Sequence, residues 1–240
     1  MRLPAGLCIA TLLLAGTHAE ATSLRAAPAK LELVAPDSAA ALSLRNEDTK
    51  PINAQIRVFR WSQVNGEEKL EPSVDVAASP PLTTLGAGID YVVRVVRVTK
   101  TPVAGEETYR LLVDELPDAA RRVPGAVTVV VRYSIPVFFV SRDAAPAKLS
   151  WTIRQMNGGL VLTGSNSGGR HARISDLQLT SDGKPVVTRT GLVGYVLGGS
   201  TMQWTLPLPR SGPTALRSVA LSAQSESGPI NATIAVSPGR

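Results

Sequence analysis

The sequence predicts an all-β protein made of two immunoglobulin-like β-sandwich domains in tandem. Three observations carry that prediction. Short β-branched runs recur along the chain, turn formers separate them, and no amphipathic helix of useful length interrupts them. Evenly spaced short strands are the signature of a sandwich, because each strand gives one face to a core and then reverses. The 240 residues suit one large domain or two of ordinary size.

In order, the runs are KLELV, AALSLRN, NAQIRVFRW, DYVVRVVRV and ETYRLLVDEL, then GAVTVVVRYSIPVFFV at residues 125–140. Between them lie Ala35-Pro36-Asp37, Asn46 to Pro51, Asn65-Gly66, Ser79-Pro80-Pro81 and Gly86-Ala87-Gly88. The polar stretch SRDAAPAK at 141–148 reads as a linker. Strands resume with LSWTIRQ, GLVLTGSN, HARISDLQLT, KPVVTRTG, TMQWTLPLP, ALRSVALSA and PINATIAVS, and each half is near the size of one immunoglobulin-like sandwich. The expected division is a leader at 1–21, a first domain at 22–142 and a second at 143–240. No internal repeat is visible residue by residue.

The N-terminus has the composition of a secretory signal peptide. Arg2 is followed by a short apolar run, Leu7 to Gly16, and then by small residues that allow cleavage after Ala19 or Ala21. The single cysteine, Cys8, falls inside that run, so the exported chain holds together by packing without disulfides. The formal net charge of +6 comes from scattered basic residues that often neighbour acids, as in RNEDTK and GEEKLE. This pattern reads as solvated faces and argues against nucleic acid as a partner. No segment beyond the leader is long and apolar enough to insert in a bilayer.

Chemistry-bearing motifs are sparse. His171 is the only histidine beyond the leader, so a metal centre built on imidazole or thiolate is not expected, and no cofactor is implied. A serine–histidine–acid hydrolase would need His171, with Asp176 nearby, but there is no GxSxG elbow. The phosphate-binding glycine motifs are missing as well. His171, in a turn leading into a strand, reads as a structural or surface residue. The chain is expected to be no enzyme.

The run at 125–140 is the anomaly. A half-buried strand alternates apolar and polar residues. Here the odd positions Val127, Val129, Val131, Tyr133, Ile135, Val137 and Phe139 are all apolar or aromatic, and the even positions include Val130, Phe138 and Val140. The residues alone leave two readings open. One is an ordinary buried strand. The other is an edge strand whose second face is covered by another molecule.

The order of motifs resembles that of PapD-like periplasmic pilus chaperones of the chaperone–usher pathway. PAK at 28–30 is followed by Asn46 in LSLRN, ASPPLTTLGAG at 78–88, Arg94 in YVVRV, YRLLVDELP at 109–117, the 125–140 run, and a second sandwich from Trp151. RVFRW, RYSIPVF and LVGYVLGGSTMQW look closest to the archaic-type branch. The resemblance implies that residues 126–140 form the last strand of the first domain, lent to pilin-like subunits whose own sandwich lacks a strand. It implies a donor face of Val127, Val129, Val131 and Tyr133, with Val130 and the other even positions on the chaperone's own core. It also implies a basic anchor for the subunit's terminal carboxylate. Lys30 falls at the anchor position, sixteen residues before Asn46, while Pro136 stands where a second, lysine anchor is expected. Arg132, Arg94 and Arg142 are the substitutes weighed. A Glu115–Arg142 ion pair is expected to help fix the angle between domains, and Ser79-Pro80-Pro81 to form a turn that suits a cis proline.

The implied function is non-enzymatic capture of pilin-like subunits and delivery to an outer-membrane usher, with a self-capping homodimer as one way to cover the free edge. A structural or adhesive exported two-domain protein is the competing reading.

Overall fold

A computed structural model of the chain describes residues 24–117, 129–208 and 216–238. All regular elements among the described residues are β-strands. The first ten are β1 (Leu24–Ala27), β2 (Leu31–Val34), β3 (Ala39–Asn46), β4 (Ile52–Val64), β5 (Glu67–Pro72), β6 (Val76–Ser79), β7 (Leu82–Leu85), β8 (Asp90–Arg97), β9 (Glu106–Leu116) and β10 (Arg132–Val140). They make two sheets. One runs β1-β3-β8-β6, and the other runs β2-β10-β9-β4-β5 with β7 also paired to β4. Strand alternation selects the core: Leu42 and Leu44, Val93 and Val95, and Leu111 and Val113 all point between the sheets and are sealed from solvent. The outer strand β5 is exposed at every position. Its run EEKLE puts charge on an edge that would otherwise invite pairing.

The second group is β11 (Leu149–Met156), β12 (Gly159–Asn166), β13 (Ala172–Ser181), β14 (Lys184–Val196), β15 (Thr201–Pro207), β16 (Ser218–Ser225) and β17 (Gly228–Pro238). They connect in the order β14-β13-β16-β17-β11-β12-β15. β17 changes partner along its length. Gly228–Ala235 pair antiparallel with β16, and Val236–Pro238 pair parallel with β11. This switch folds the ribbon into two layers around Leu160, Leu162, Leu177, Leu179 and Leu221. The Ser79–Pro80 bond is cis.

Each sandwich uses the same polar device. Asn46, ending β3, donates through Nδ2 to the carbonyls of Lys50 (2.8 Å) and Leu85 (3.0 Å), and its Oδ1 accepts the Asp48 amide. Asn166, ending β12, donates to the carbonyls of Arg170 (2.7 Å) and Val196 (3.1 Å), and its Oδ1 accepts the Lys148 and Gly168 amides. Both side chains are buried and tie a turn to a distant strand. The sequences LSLRN and LTGSN share the leucine-to-asparagine spacing that puts the amide there.

β10 joins the two halves. Its odd residues Ile135, Val137 and Phe139 enter the first core. Its even residues Phe138 and Val140 join Trp61 of β4 against Tyr195 and Leu197 of the second group. Both faces of this half of the strand are therefore covered within the molecule, which accounts for the apolar even positions Phe138 and Val140 without a partner protein. Polar contacts seal the seam. Gln63 Nε2 donates to the Tyr195 carbonyl (2.8 Å) and its Oε1 accepts the Leu197 amide (2.9 Å). The Arg110 guanidinium lies 3.7 Å from the Trp61 ring centroid. Gly66, with φ of +85°, accepts the Gln203 amide, and a Cβ there would sit 2.7 Å from Gln203 Cγ.

The expected Glu115–Arg142 pair does not form. Antiparallel register sets Val140 opposite Glu106 and Arg132 opposite Asp114, so Glu115 and Arg142 lie at opposite ends of the β9–β10 hairpin. The separation is roughly 30 Å at strand rise. Arg142 instead donates to the Ala35 carbonyl (2.9 Å).

Replacing either asparagine leaves several buried backbone groups unmatched. Asn46→Ala and Asn166→Ala are each expected to destabilise by about 1–3 kcal/mol, read as a lower urea midpoint at unchanged slope.

Candidate functional site

β10 pairs with β9 along its whole length, but with β2 only from Val137 to Val140. Among the described residues, no strand covers the other side of residues 129–136. The Glu115 amide donates to the Val131 carbonyl, which turns the polar groups of Val131 toward β9. Alternation then points those of Arg132 and Ser134 outward. Pro136, which has no N–H to leave unpaired, occupies the last outward position. The result is an open edge about two outward pairs long.

Val129 is 81 % exposed and Val131 half-buried beside this edge. Val127 lies outside the described residues. Two expectations about the faces need correction. Tyr133 packs on the first core and its hydroxyl donates to the Leu24 carbonyl (2.6 Å), because it shares parity with Ile135 and Val137. It packs within this chain, whereas Val131 and Val129, of the same parity, lie beyond the end of that core. Val130 is 44 % exposed and does not enter the core, and from Tyr133 onward it is the odd residues that do.

Arg132 lies on the outer face. It and Arg57 of β4 hold the two oxygens of Asp114 on β9, with Arg57 at 2.6 Å. The two guanidinium groups outweigh the cost of partial burial and keep the Asp114 carboxyl below its usual range. Arg94 is exposed on β8, in the opposite sheet. Neither is brought to Lys30.

Lys30 immediately precedes β2. Val137 pairs with Leu31, so Lys30 stands beside Pro136, where the open edge ends. Its ammonium contacts Glu32 (2.8 Å) and Glu226 (2.8 Å), the latter in the β16–β17 turn of the second sandwich. Burial alone would lower the Lys30 pKa, and the two carboxylates more than reverse this, so it is raised. Burial likewise works to raise the Glu32 pKa, but Lys30, His171 and Arg170 bring it below the usual carboxylate range. Arg170 hydrogen-bonds the other oxygen of Glu32.

His171, read from sequence as a structural or surface residue, is a buried part of this cleft. Its side chain is 2 % exposed and stacks on Phe138 at 3.6 Å. The buried Glu106 carboxylate accepts its backbone amide (2.8 Å) and meets Nδ1 (2.7 Å). Asp176, the acid weighed for a hydrolase, instead accepts the Gly191 amide. Ligand atoms of Glu32, His171 and Glu226 lie within 4.8 Å of one another. The Lys30 ammonium already bridges those two carboxylates, so a metal ion would have to displace an existing cation.

An open edge strand on the first of two sandwiches, with a lysine at its end in the cleft between them, defines a strand-lending class of protein. Residues 23–143 match the family described as pili and flagellar-assembly chaperone, PapD N-terminal domain. The chain belongs to that family. Solved structures agree in fold over most of the chain. The chaperone in the CsuC–CsuE chaperone–tip adhesion subunit pre-assembly complex of archaic Csu pili from Acinetobacter baumannii is 25 % identical, with a TM-score of 0.66, over 91 % of this chain and 100 % of that one. The E. coli chaperone DraB is 20 % identical, with a TM-score of 0.57, over 88 % and 98 %. The Salmonella enterica SafA pilin–SafB chaperone complex gives 19 % identity and a TM-score of 0.59, over 89 % and 97 %. A search of curated proteins by sequence found no significant match.

The depressed carboxyl of Glu32 contributes stability that is present above the unfolded-state pKa of about 4.3 and lost as pH falls through the lower folded value. The raised Lys30 contribution holds at neutral pH and disappears only as pH climbs past its alkaline range. Glu32→Gln is therefore expected to lower the urea midpoint at pH 7, and the gap from wild type should close as pH drops below about 4.

Proposed function

We propose that this protein is a periplasmic chaperone that captures pilin-like subunits by donor-strand complementation and passes them to an outer-membrane usher. A signal peptide at 1–21 directs it through the inner membrane and is then cleaved, and the two sandwiches divide at residues 142 and 143. The observation that supports this reading best is the open side of residues 129–136, with Val129 exposed beside it. A subunit lacking one strand pairs its backbone with the outward groups of β10 and receives Val127, Val129 and Val131 in its own groove. Each valine transferred from water contributes roughly 1.5–3 kcal/mol at most. Lys30, at the end of that edge, takes the subunit's terminal carboxylate as a point charge. Without a subunit, a second copy pairing along the same edge removes the hazard of exposed strand groups. A self-contained structural or adhesive protein would have no use for that unpaired stretch.

The test is Val129→Asp combined with Val131→Asp. Both side chains lie outside the first core's buried set, so the variant should fold normally and lose co-purification of a small β-rich partner from periplasm. Loss of folding, or capture at wild-type level, would overturn the proposal.

A further inference from the structure

The cleft contains a carboxylate already in place. Glu226 Oε1 lies 2.8 Å from Lys30 Nζ, and Glu226 Oε2 lies 3.6 Å from His171 Nε2. The second distance is too long for a hydrogen bond, and Nε2 is a buried polar atom without a partner among the described residues. The acid sits in an exposed turn, whereas the two nitrogens it spans come from rigid places. Lys30 leads into β2. His171 is held by Glu106 through two contacts and by the Phe138 ring.

We propose that Lys30 Nζ and His171 Nε2 together bind one carboxylate at the end of a partner's chain, and that Glu226 holds this position until the partner arrives. The inference rests on the reading that Lys30 anchors the captured subunit. It adds the second donor, drawn from the other sandwich, and an internal competitor. The carboxylate bridges the two domains as Glu226 does now. Glu226 swings out to solvent, which its exposed turn permits.

The histidine adds a proton requirement. Nδ1 faces the Glu106 carboxylate; an ionised carboxylate can only accept, which assigns the ring hydrogen to Nδ1, so Nε2 donates only in the imidazolium form. Around the ring stand Glu106 of β9, Glu226 of the β16–β17 turn, Glu32 of β2, and the cations Lys30 and Arg170. Carboxylate binding at Nε2 therefore calls for the imidazolium form.

The probe is N-acetylglycine, with N-acetylglycinamide as the uncharged control, titrated into the whole exported protein. The histidine ring signals are followed by NMR and assigned by their loss in His171→Gln. In Glu226→Gln, where the resident charge is gone, N-acetylglycine should shift the His171 signals saturably, while the amide does not. Wild type should bind the acid more weakly. Adding Lys30→Gln to Glu226→Gln should weaken binding about ten-fold or more. Equal response to acid and amide, no saturation by roughly 0.1 M, or indifference to Lys30→Gln would overturn the site. Equal affinity in wild type and Glu226→Gln would remove Glu226's role as placeholder. The small probe does not need the open edge. Failure here with capture intact refutes the clamp alone, and loss of capture in the valine double variant with the clamp intact refutes the strand reading alone.

Discussion

The packing of β10 on both of its faces governs the rest of the molecule. The strand's alternation sends Ile135, Val137 and Phe139 into one core and Phe138 and Val140 against the neighbouring sandwich. A strand so enclosed cannot slip by one residue, because every side chain would exchange environments. Register fixed at this end fixes which backbone groups point outward at the other end, those of Arg132 and Ser134. The open edge therefore has a defined sequence of donors and acceptors.

The cleft follows from the same strand. Phe138 supplies the flat surface on which His171 stacks, and β10 pairs with β2 so that Lys30 arrives beside Pro136. Glu106 at the start of β9 reaches His171 across the seam. The charges here are paired and partly buried. Their value lies less in net stabilisation than in holding two domains in one arrangement, since each group left alone would be costly.

Much of the fold could be read from the chain. Strand-length β-branched runs and their turn formers mark local structure: β3, β4, β8 and β9 appear where the pattern puts them, and β10 covers Arg132–Val140 of the run expected at 126–140. Lys30 was singled out through the family resemblance, as the residue sixteen before Asn46. What could not be read is contact over long separation. Glu226 meets Lys30 across 196 residues, and nothing in the local sequence of either announces the other. His171 looked like a turn residue because its burial depends on a domain that packs from the far side. Tyr133 was misplaced for a different reason. Periodicity says which residues share a face but not which face is inward, and the Leu24 carbonyl decides that. The matching roles of Asn46 and Asn166 were present as equal spacing in LSLRN and LTGSN, but a single polar residue is too short a signal until its partners are seen.

The linker region has a mechanical consequence. A side chain at Gly168 would strike the Pro146 carbonyl at 2.0 Å, and one at Gly198 would meet Gly169 at 2.7 Å. Main chain touches main chain where residues 146–148 pass the loops of the second sandwich, so a side chain at either glycine would force the connecting segment or the neighbouring loop aside.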